Sequence, residues 1–264
     1  MASETLLDDL AAEYDALVGV LETLTDEQWD IDTPAERWRV RDQIGHLAFF
    51  DEQATIAVAE PARFQAELAD SLKDLASFGA RTEAIGCTLT AAPLLVRWRK
   101  ANAAMGAALA EVPDGSRLPW YGPPMSLRSF VTARLMETWA HGTDIIDGLH
   151  NAGVDATRRD GDRIASICHL GTITRGWSYT VRGRETPSSD VRVELTLPSG
   201  APWGAGPEDA AEVVKGPAVD FCLVVTQRRN VADTNLDVHG ASAAEWMSIA
   251  QCFAGAATLP PPRS

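Results

Sequence analysis

The chain contains the sequence VRDQIGHL at residues 40–47 and the sequence ETWAHGTDI at residues 137–145, and both segments are typical of helices. In the second segment, Glu137 and His141 are four residues apart and therefore share one helix face. Together with His46 from the first segment, they offer two imidazole nitrogens and one carboxylate oxygen. Three such ligands suit a divalent metal ion such as zinc and leave one coordination position open for water or substrate. The two segments therefore predict a reactive metal site.

Each of these residues also has a simpler interpretation. Glu137 and His141 could form an ordinary pair on a helix surface, and a single histidine is often only a packed or solvated side chain. However, the neighbours Met136, Ala140 and Ile145 indicate that much of this helix is buried. A buried ionisable group needs a partner, because an unpaired buried charge is costly. A metal ion would meet that need for all three side chains together.

Two further carboxylates lie close to these residues in the sequence. Asp144 follows His141 by three positions and can share its helix face, so it could accept a hydrogen bond from the second nitrogen of that ligand. It could equally form a surface ion pair. Asp42 precedes His46 by four positions and could act in the same way, although an acid in a first helical turn more simply complements the helix dipole.

Hydrophobic spacing predicts a helical bundle over residues 1–155. Apolar side chains recur every three or four residues in several stretches, as they do on one face of an amphipathic helix. The spacing predicts long helices over residues 4–24, 40–60, 91–112 and 126–148, and a weaker helix over residues 62–76. Four long helices joined by loops favour an antiparallel four-helix bundle.

The pattern changes after about residue 155 and predicts a smaller α+β domain over residues 156–264. Apolar and other residues alternate strictly over residues 191–197, as in a half-buried strand. Shorter strands are predicted at residues 211–214 and 235–238, and helices at residues 159–175, 217–227 and 242–254. Strands and helices mixed in this way are typical of an α+β fold.

Composition narrows the classes of function. The chain has 264 residues, of which 45% are hydrophobic, and a formal net charge of −14. So acidic a chain is a poor candidate for binding nucleic acid or anionic lipid, which attract basic surfaces. No apolar run approaches the roughly 18 residues of a membrane span, and the acidic N-terminus lacks the features of a signal peptide. With its four cysteines widely separated, the chain is expected to be cytoplasmic and to keep them reduced.

Two motifs carry a resemblance to a known family. Residues 38–48, WRVRDQIGHLA, resemble the entry to the metal-bearing helix of the mycothiol-dependent maleylpyruvate isomerase family. Residues 137–145 resemble the second metal motif of that family. The wider superfamily is the DinB-like four-helix bundle, whose members carry a metal on three inward-facing side chains. The resemblance implies that His46, Glu137 and His141 are the metal ligands here.

The C-terminal half also resembles this family. Residues 216–223, GPAVDFCL, are similar to the start of a helix in the smaller α+β domain of the family. In the family that helix ends in a Gly-Arg pair whose arginine faces the active-site cleft. Here the pair is Gln227-Arg228, without the glycine, and Arg229 competes for the same role. The resemblance implies that Arg228 or Arg229 binds an anionic group.

The resemblance implies a metal-dependent enzyme of thiol chemistry. The metal, Zn²⁺ or another divalent ion, would activate a low-molecular-weight thiol such as mycothiol towards an electrophilic substrate, in an isomerase or a transferase. Two alternatives stay open: a metal-dependent hydrolase with Asp144 as its base, and a non-catalytic metal-binding or regulatory protein. The exposed faces of such a bundle would also allow a homodimer.

Overall fold

The computed structural model of the chain describes residues 2–262, except for the side chains of residues 2–4, 75 and 76. The chain forms two compact units, an N-terminal unit, Met1–Arg158, and a C-terminal unit, Arg159–Ser264. The first is helical and the second contains a small mixed sheet, which confirms the predicted fold class. Among the described helices, none combines the length and the apolar character that a membrane span requires.

The N-terminal unit is built from helices, and the long helices predicted for it lie close to their predicted positions. Its helices are α1 (Ala2–Leu21), α2 (Val40–Ala59), α3 (Pro61–Ser71), α4 (Leu75–Thr88), α5 (Ala91–Ala110) and α6 (Leu127–Asn151). Two short strands between α5 and α6, β1 (Arg117–Leu118) and β2 (Met125–Ser126), pair antiparallel. The sequence predicted neither strand, because two residues are too few to show an alternating pattern.

Helix α2 is central to this unit because it packs against α4, α5 and α6. The helices bury an apolar core made of side chains from α1, α2, α5 and α6, among them Leu17, Ile44, Leu47, Trp98 and Leu149. Each of these side chains is removed almost completely from water, and burial of a large apolar side chain contributes about 1.5–3 kcal/mol. This packing fixes α2 and α6, the two helices that carry the predicted ligands.

A buried ion pair also joins α2 to α6. Arg134 Nη2 lies 2.8 Å from Asp51 Oδ1, and both side chains are almost fully buried. The other carboxylate oxygen of Asp51 accepts a hydrogen bond of 3.0 Å from the indole nitrogen of Trp98 on α5. Three helices of the bundle are therefore tied at one polar point inside the core, where an unpaired charge would be costly.

Two glycines allow α4 to approach α2 very closely. A Cβ atom at Gly45 would lie 2.4 Å from the backbone nitrogen of Gly86, and a Cβ at Gly86 would lie 2.7 Å from the Cα of Asp42. Contacts this short are not tolerated between a side chain and a backbone. Gly45 directly precedes His46, so the contact between the two helices lies next to the first predicted ligand.

Over its described residues, 159–262, the C-terminal unit combines four short α-helices with a four-stranded sheet. In chain order its elements are α7 (Ala165–Ile173), α8 (Arg175–Thr180), β3 (Val191–Thr196), β4 (Pro202–Ala205), β5 (Glu212–Pro217), α9 (Ala218–Val225), β6 (Asp237–His239) and α10 (Ala241–Ile249). The strand order is β4-β3-β5-β6. Strands β3 and β5 pair parallel, and the other two pairs are antiparallel. The buried positions Val191, Val193 and Leu195 confirm the alternation seen in the sequence.

Some predicted element bounds were wrong. The single helix predicted over residues 62–76 ends at Ser71, and a new helix, α4, begins at Leu75, where Asp74 caps it by accepting a hydrogen bond from the backbone of Ser77. The helix predicted over residues 159–175 begins later, as a 3-10 turn at Asp162–Ile164 followed by α7. Strand β4 was not predicted, because residues 202–205 read PWGA, and glycine and proline weaken a strand pattern.

Candidate metal centre

The structure brings His46, Glu137 and His141 together. His46 lies on α2, and the other two residues lie one turn apart on α6. One candidate ligand atom from each side chain lies within 4.8 Å of the other two. Glu137 Oε2 is 3.2 Å from His141 Nε2 and 3.9 Å from His46 Nε2. Donor atoms at these distances could bind a single metal ion between them, so the geometry fits the predicted ligand set.

The surroundings of His46 keep its imidazole neutral. Burial of the ring, followed by the neighbouring His141, lowers the pKa of His46 to about 4. At neutral pH the side chain therefore carries no charge and keeps a lone pair on one ring nitrogen. Neutral imidazole is the form that binds metal ions, since a protonated nitrogen has no lone pair to donate.

Glu137 is held in its ionised form. Burial alone would raise the pKa of this carboxyl group, but the neighbouring imidazoles of His141 and His46 outweigh that effect, and the pKa lies well below the ordinary range. The pocket therefore combines one carboxylate with at least one neutral imidazole. Such a set of donors suits zinc and several other divalent transition metals.

A chain of hydrogen bonds fixes the orientation of His141. The hydroxyl group of Thr33 donates to the carbonyl oxygen of Trp38 at 2.8 Å, and Gln43 Nε2 donates to Thr33 Oγ1 at 2.8 Å. This places Gln43 Oε1 2.5 Å from His141 Nδ1. An amide oxygen can only accept, so His141 carries a proton on Nδ1, and Nε2, which faces Glu137, is the ring nitrogen that could bind a metal ion.

Gln43 therefore occupies the position that the sequence offered to Asp144. Asp144 Oδ2 lies 3.9 Å from His141 Nδ1, which is beyond hydrogen-bond distance, whereas the amide oxygen of Gln43 is much closer. The spacing pattern did not indicate Gln43 as a partner of His141, because the two residues lie on different helices and are far apart in the sequence. One signal was present: Gln43 precedes His46 by three residues and so shares its face of α2. A catalytic role for Asp144 stays a prediction.

Asp42 has the simpler of its two predicted roles. Its Oδ2 accepts hydrogen bonds of 2.9 Å from the backbone nitrogen and from the guanidinium group of Arg39, the residue that precedes α2. Burial raises the pKa of this carboxyl group, but the bonds with Arg39 outweigh burial and the pKa is lowered. Asp42 therefore caps α2.

Aromatic side chains surround the two histidines. The ring of Trp38 lies 5.0 Å from that of His46, and it lies parallel to within 14° of the ring of His141 at 5.8 Å. Phe50 contacts His46 from another direction at 4.6 Å, and Tyr121 lies behind it at 5.5 Å from Phe50. Rings of this kind exclude water, and charges interact more strongly where water is excluded.

The backbone at Gln227 takes the form that the missing glycine would favour. Helix α9 ends at Val225, and Gln227 then adopts the left-handed conformation with φ of 59°. Glycine usually occupies this position after a helix, because it has no Cβ to be strained. The amide group of Gln227 donates to the carbonyl oxygen of Ala250 at 3.0 Å, which helps to hold it. Gln227 therefore has the backbone form that glycine favours, although it is not a glycine.

Both candidate arginines are half-buried in the C-terminal unit. Arg228 Nη1 donates to the carbonyl oxygen of Thr226 at 2.7 Å, and Arg229 Nη1 donates to that of Arg228 at 2.8 Å. The backbone nitrogens of both residues donate to the carbonyl oxygen of Leu223 at the end of α9. Anion binding by Arg228 or Arg229 stays a prediction.

Comparisons with known proteins identify related sequences and folds. The family model described as the mycothiol maleylpyruvate isomerase N-terminal domain matches residues 10–146 of the chain. Two proteins of Mycobacterium tuberculosis, from strains CDC 1551 / Oshkosh and ATCC 25618 / H37Rv, are each 42% identical over 249 residues, and the match covers 94% of this chain and 94% of each relative. Both of these relatives are named as uncharacterized.

Two crystal structures share the fold. One is that of the mycothiol-dependent maleylpyruvate isomerase, which is 16% identical, with a TM-score of 0.54 over 86% of this chain and 90% of that one. The other is that of a variant with one histidine replaced by alanine, which is 15% identical, with a TM-score of 0.56 over 100% of this chain and 98% of that one. At such low identity, these structures support the fold.

Proposed function

The chain belongs to the mycothiol maleylpyruvate isomerase family, and we propose that it is an enzyme in which a divalent metal ion activates a low-molecular-weight thiol towards an electrophilic substrate. The observation that carries this proposal is the convergence of His46, Glu137 and His141, whose donor atoms lie within 4.8 Å of one another. The match to the family model, over residues 10–146, includes all three residues.

The residues present fit a metal ion with an open coordination position. Three protein ligands are typical of catalytic sites, whereas structural zinc sites usually have four. When bound, a divalent ion would act as a Lewis acid and lower the pKa of a coordinating thiol, so that a thiolate nucleophile exists at neutral pH. Zinc suits two imidazoles and one carboxylate, and nickel, iron and manganese suit the same donors.

The side chains around the ligands have separate tasks in this proposal. Gln43 fixes the proton of His141 on Nδ1, and Glu137 contributes one negative charge. Trp38 and Phe50 keep water away from the ring of His46. Asp144 would be the base only in the alternative, hydrolytic reaction.

We further propose that Arg228, or its neighbour Arg229, binds a carboxylate of the substrate or of the thiol. A guanidinium group suits this task because its planar fork can donate two parallel hydrogen bonds to one carboxylate. The chain has a formal net charge of −14, which repels an anionic ligand, so a local positive group would be needed.

The chemistry separates an isomerase from a transferase after a shared first step. When bound, the thiolate would supply a nucleophilic sulfur for an electrophilic carbon of a conjugated substrate. Release of the thiolate after rotation about the resulting single bond would give an isomer, as in an isomerase. Retention of the sulfur–carbon bond together with uptake of a proton would give a product that carries the thiol, as in a transferase.

The test is an activity assay on the zinc-loaded protein followed by mass spectrometry. The protein is incubated with maleylpyruvate, or with an aromatic electrophile, in the presence of mycothiol, bacillithiol or glutathione. We expect conversion that requires a thiol, with a product of unchanged mass for an isomerase or a product enlarged by the thiol for a transferase. Two results would contradict the proposal. One is conversion that proceeds equally well without any thiol, and the other is thiol-dependent conversion by the metal-free protein.

A further inference from the structure

The N-terminal unit contains a cavity that has no part in the proposed function so far. Its volume is about 280 Å³, and it is lined by Arg37, Trp38, Arg39, Asp42, Glu83 and Cys87. Pockets for complete small-molecule ligands commonly have volumes of roughly 300–1,000 Å³. This cavity is therefore too small for a complete cofactor molecule. It could hold a part of one, such as a single sugar ring.

One side chain belongs both to this cavity and to the surroundings of the metal centre. Trp38 lines the cavity, and its ring also lies 5.0 Å from that of His46 and 5.8 Å from that of His141. Trp38 therefore contacts both the cavity and two of the proposed metal ligands. The two sites are close enough to be bound by different parts of one molecule.

The charged groups of the cavity fall into two classes. Arg39 and Asp42 are engaged with each other through an ion pair of 2.9 Å, and Arg39 also pairs with Asp30. In contrast, the interactions found within residues 2–262 leave the guanidinium group of Arg37 and the carboxylate of Glu83 without a hydrogen bond or an ion pair. The cavity thus offers one uncommitted donor group and one uncommitted acceptor group.

The backbone holds Arg37 at this place in an uncommon conformation. Its φ is 67°, in the left-handed region that few residues other than glycine adopt. The loop is fixed on both sides, because Thr33 N donates to the carbonyl oxygen of Trp38 at 2.8 Å, and Trp38 N donates to that of Ala35 at 2.9 Å. The position of the Arg37 backbone is therefore set by the same loop that supports Gln43 through Thr33.

From these observations we propose that the cavity binds the hydroxyl-rich amino-sugar end of the thiol cofactor, while the sulfur atom of the same molecule lies at the metal centre. The face of an indole packs well against the C–H groups of a sugar ring. Glu83 would accept hydrogen bonds from hydroxyl or amine groups, and Arg37 would donate to hydroxyl or carbonyl oxygens. The inference rests on the proposed function and names the residues that select the thiol.

This assignment predicts which class of thiol the protein binds best. Mycothiol joins its cysteine to an amino sugar and a cyclitol, whereas glutathione is a peptide and offers no sugar ring to Trp38. We therefore expect mycothiol to bind the wild-type protein more tightly than glutathione does. The preference should depend on Arg37 and Glu83, because the metal centre itself would meet the same cysteine sulfur in both thiols.

The experiment divides the cofactor into two probes and measures each by calorimetry on the zinc-loaded, full-length protein. The first probe is the glucosaminyl-inositol fragment, which has no sulfur, and the second is N-acetylcysteine, which has no sugar. Arg37→Ala and Glu83→Ala should each weaken binding of the fragment by about tenfold, the value of one lost charged hydrogen bond, and leave N-acetylcysteine unchanged. His141→Ala should weaken N-acetylcysteine and leave the fragment unchanged.

Matched controls are Glu36→Ala and Arg128→Ala, which remove the same charges from exposed positions that do not line the cavity. Both should bind the fragment as the wild type does. A fragment that fails to bind the wild type, or that binds equally to Arg37→Ala and Glu83→Ala, would overturn the inference. Failure of N-acetylcysteine to bind the zinc-loaded wild type would instead contradict the proposed function, so the two failures are distinguishable.

Discussion

Gln43 and His141 are 98 positions apart in the chain, yet Gln43 Oε1 lies 2.5 Å from His141 Nδ1. The contact connects α2 to α6 at the point where both helices supply ligands. The direction of this hydrogen bond is set by residues outside the metal centre. Thr33 and the carbonyl oxygen of Trp38 determine which end of the Gln43 amide faces the histidine. Gln43 is therefore a positioning residue for the metal centre.

Replacing Gln43 with Leu should weaken zinc binding by about 10–100-fold, the usual effect of losing the partner of a ligand histidine. The His141 ring would lose the acceptor that selects its tautomer. The measurement is a competition with a chromophoric chelator. Gln53→Leu is the matched control, because Gln53 also lies on α2 but accepts its hydrogen bond from Tyr121. Equal zinc affinity in Gln43→Leu and wild type would contradict the positioning role.

Gly45→Ala should destabilise the protein because α4 lies too close to α2 to admit a methyl group. The new Cβ would be 2.4 Å from the backbone of Gly86, so the two helices would have to separate. We expect a loss of about 1–3 kcal/mol in the free energy of unfolding, as for other overpacked contacts, measured by urea denaturation.

The control for this substitution is Gly106→Ala on α5, where a Cβ would meet nothing within 4 Å. Alanine has a higher helix propensity than glycine, so this variant should be more stable than the wild type by about 0.5–1 kcal/mol. Loss of stability in both variants to the same extent would show that the close contact between Gly45 and Gly86 is not the cause.

Arg134→Met should be strongly destabilising because it leaves the carboxylate of Asp51 buried without its partner. Breaking a buried ion pair in this way costs about 3–5 kcal/mol. The double variant Asp51→Leu/Arg134→Met should regain part of that loss, although the indole nitrogen of Trp98 would then lack its acceptor. The free energies of unfolding of the three proteins can be compared in urea. A double variant no more stable than Arg134→Met would argue against this explanation.

Asp42→Asn should lower stability in a manner that depends on pH. Arg39 lowers the pKa of Asp42 below its ordinary value of 3.8, despite the opposing effect of burial. The folded state thus favours the ionised form. Its contribution is complete above the unfolded pKa and is lost as pH falls through the lower, folded pKa. We expect a difference of about 1 kcal/mol between wild type and variant at pH 7, typical of a helix cap.

The test is urea denaturation of both proteins at several pH values from 7 to below 3.8. The difference in the free energy of unfolding should shrink only in the most acidic samples. A difference that is the same at every pH would mean that the charge of Asp42 does not matter and that its shape alone caps α2.

The sequence predicted the long helices well because their apolar residues recur at a helical spacing over many turns, as in α2 and α5. Short elements were harder to predict. β1 and β2 have two residues each, and β4 contains a proline and a glycine, so none shows a readable period. The break between α3 and α4 depends on the cap made by Asp74, which a weak apolar pattern does not reveal.

Residue types and their spacing in the sequence were enough to predict the three candidate metal ligands. His46, Glu137 and His141 have the side chains that metals bind, and two of them share a helix face. Gln43 could not be found in the same way, since its role arises from packing between two helices distant in sequence. Several expectations stay predictions: the domain boundary near residue 155, the cytoplasmic location, the homodimer and the roles of Asp144 and Arg228.

Cobalt(II) spectroscopy tests the central claim most directly, because cobalt(II) takes the place of zinc and its absorption reports on its ligands. The metal-free protein should bind one equivalent of cobalt(II), and addition of mycothiol should then produce an intense near-ultraviolet band from sulfur-to-cobalt charge transfer. His141→Ala and Glu137→Gln should lose both signals, whereas His239→Ala, which changes an exposed histidine, should keep them. Stoichiometric cobalt binding in His141→Ala, or a wild-type spectrum that the thiol does not change, would contradict the account.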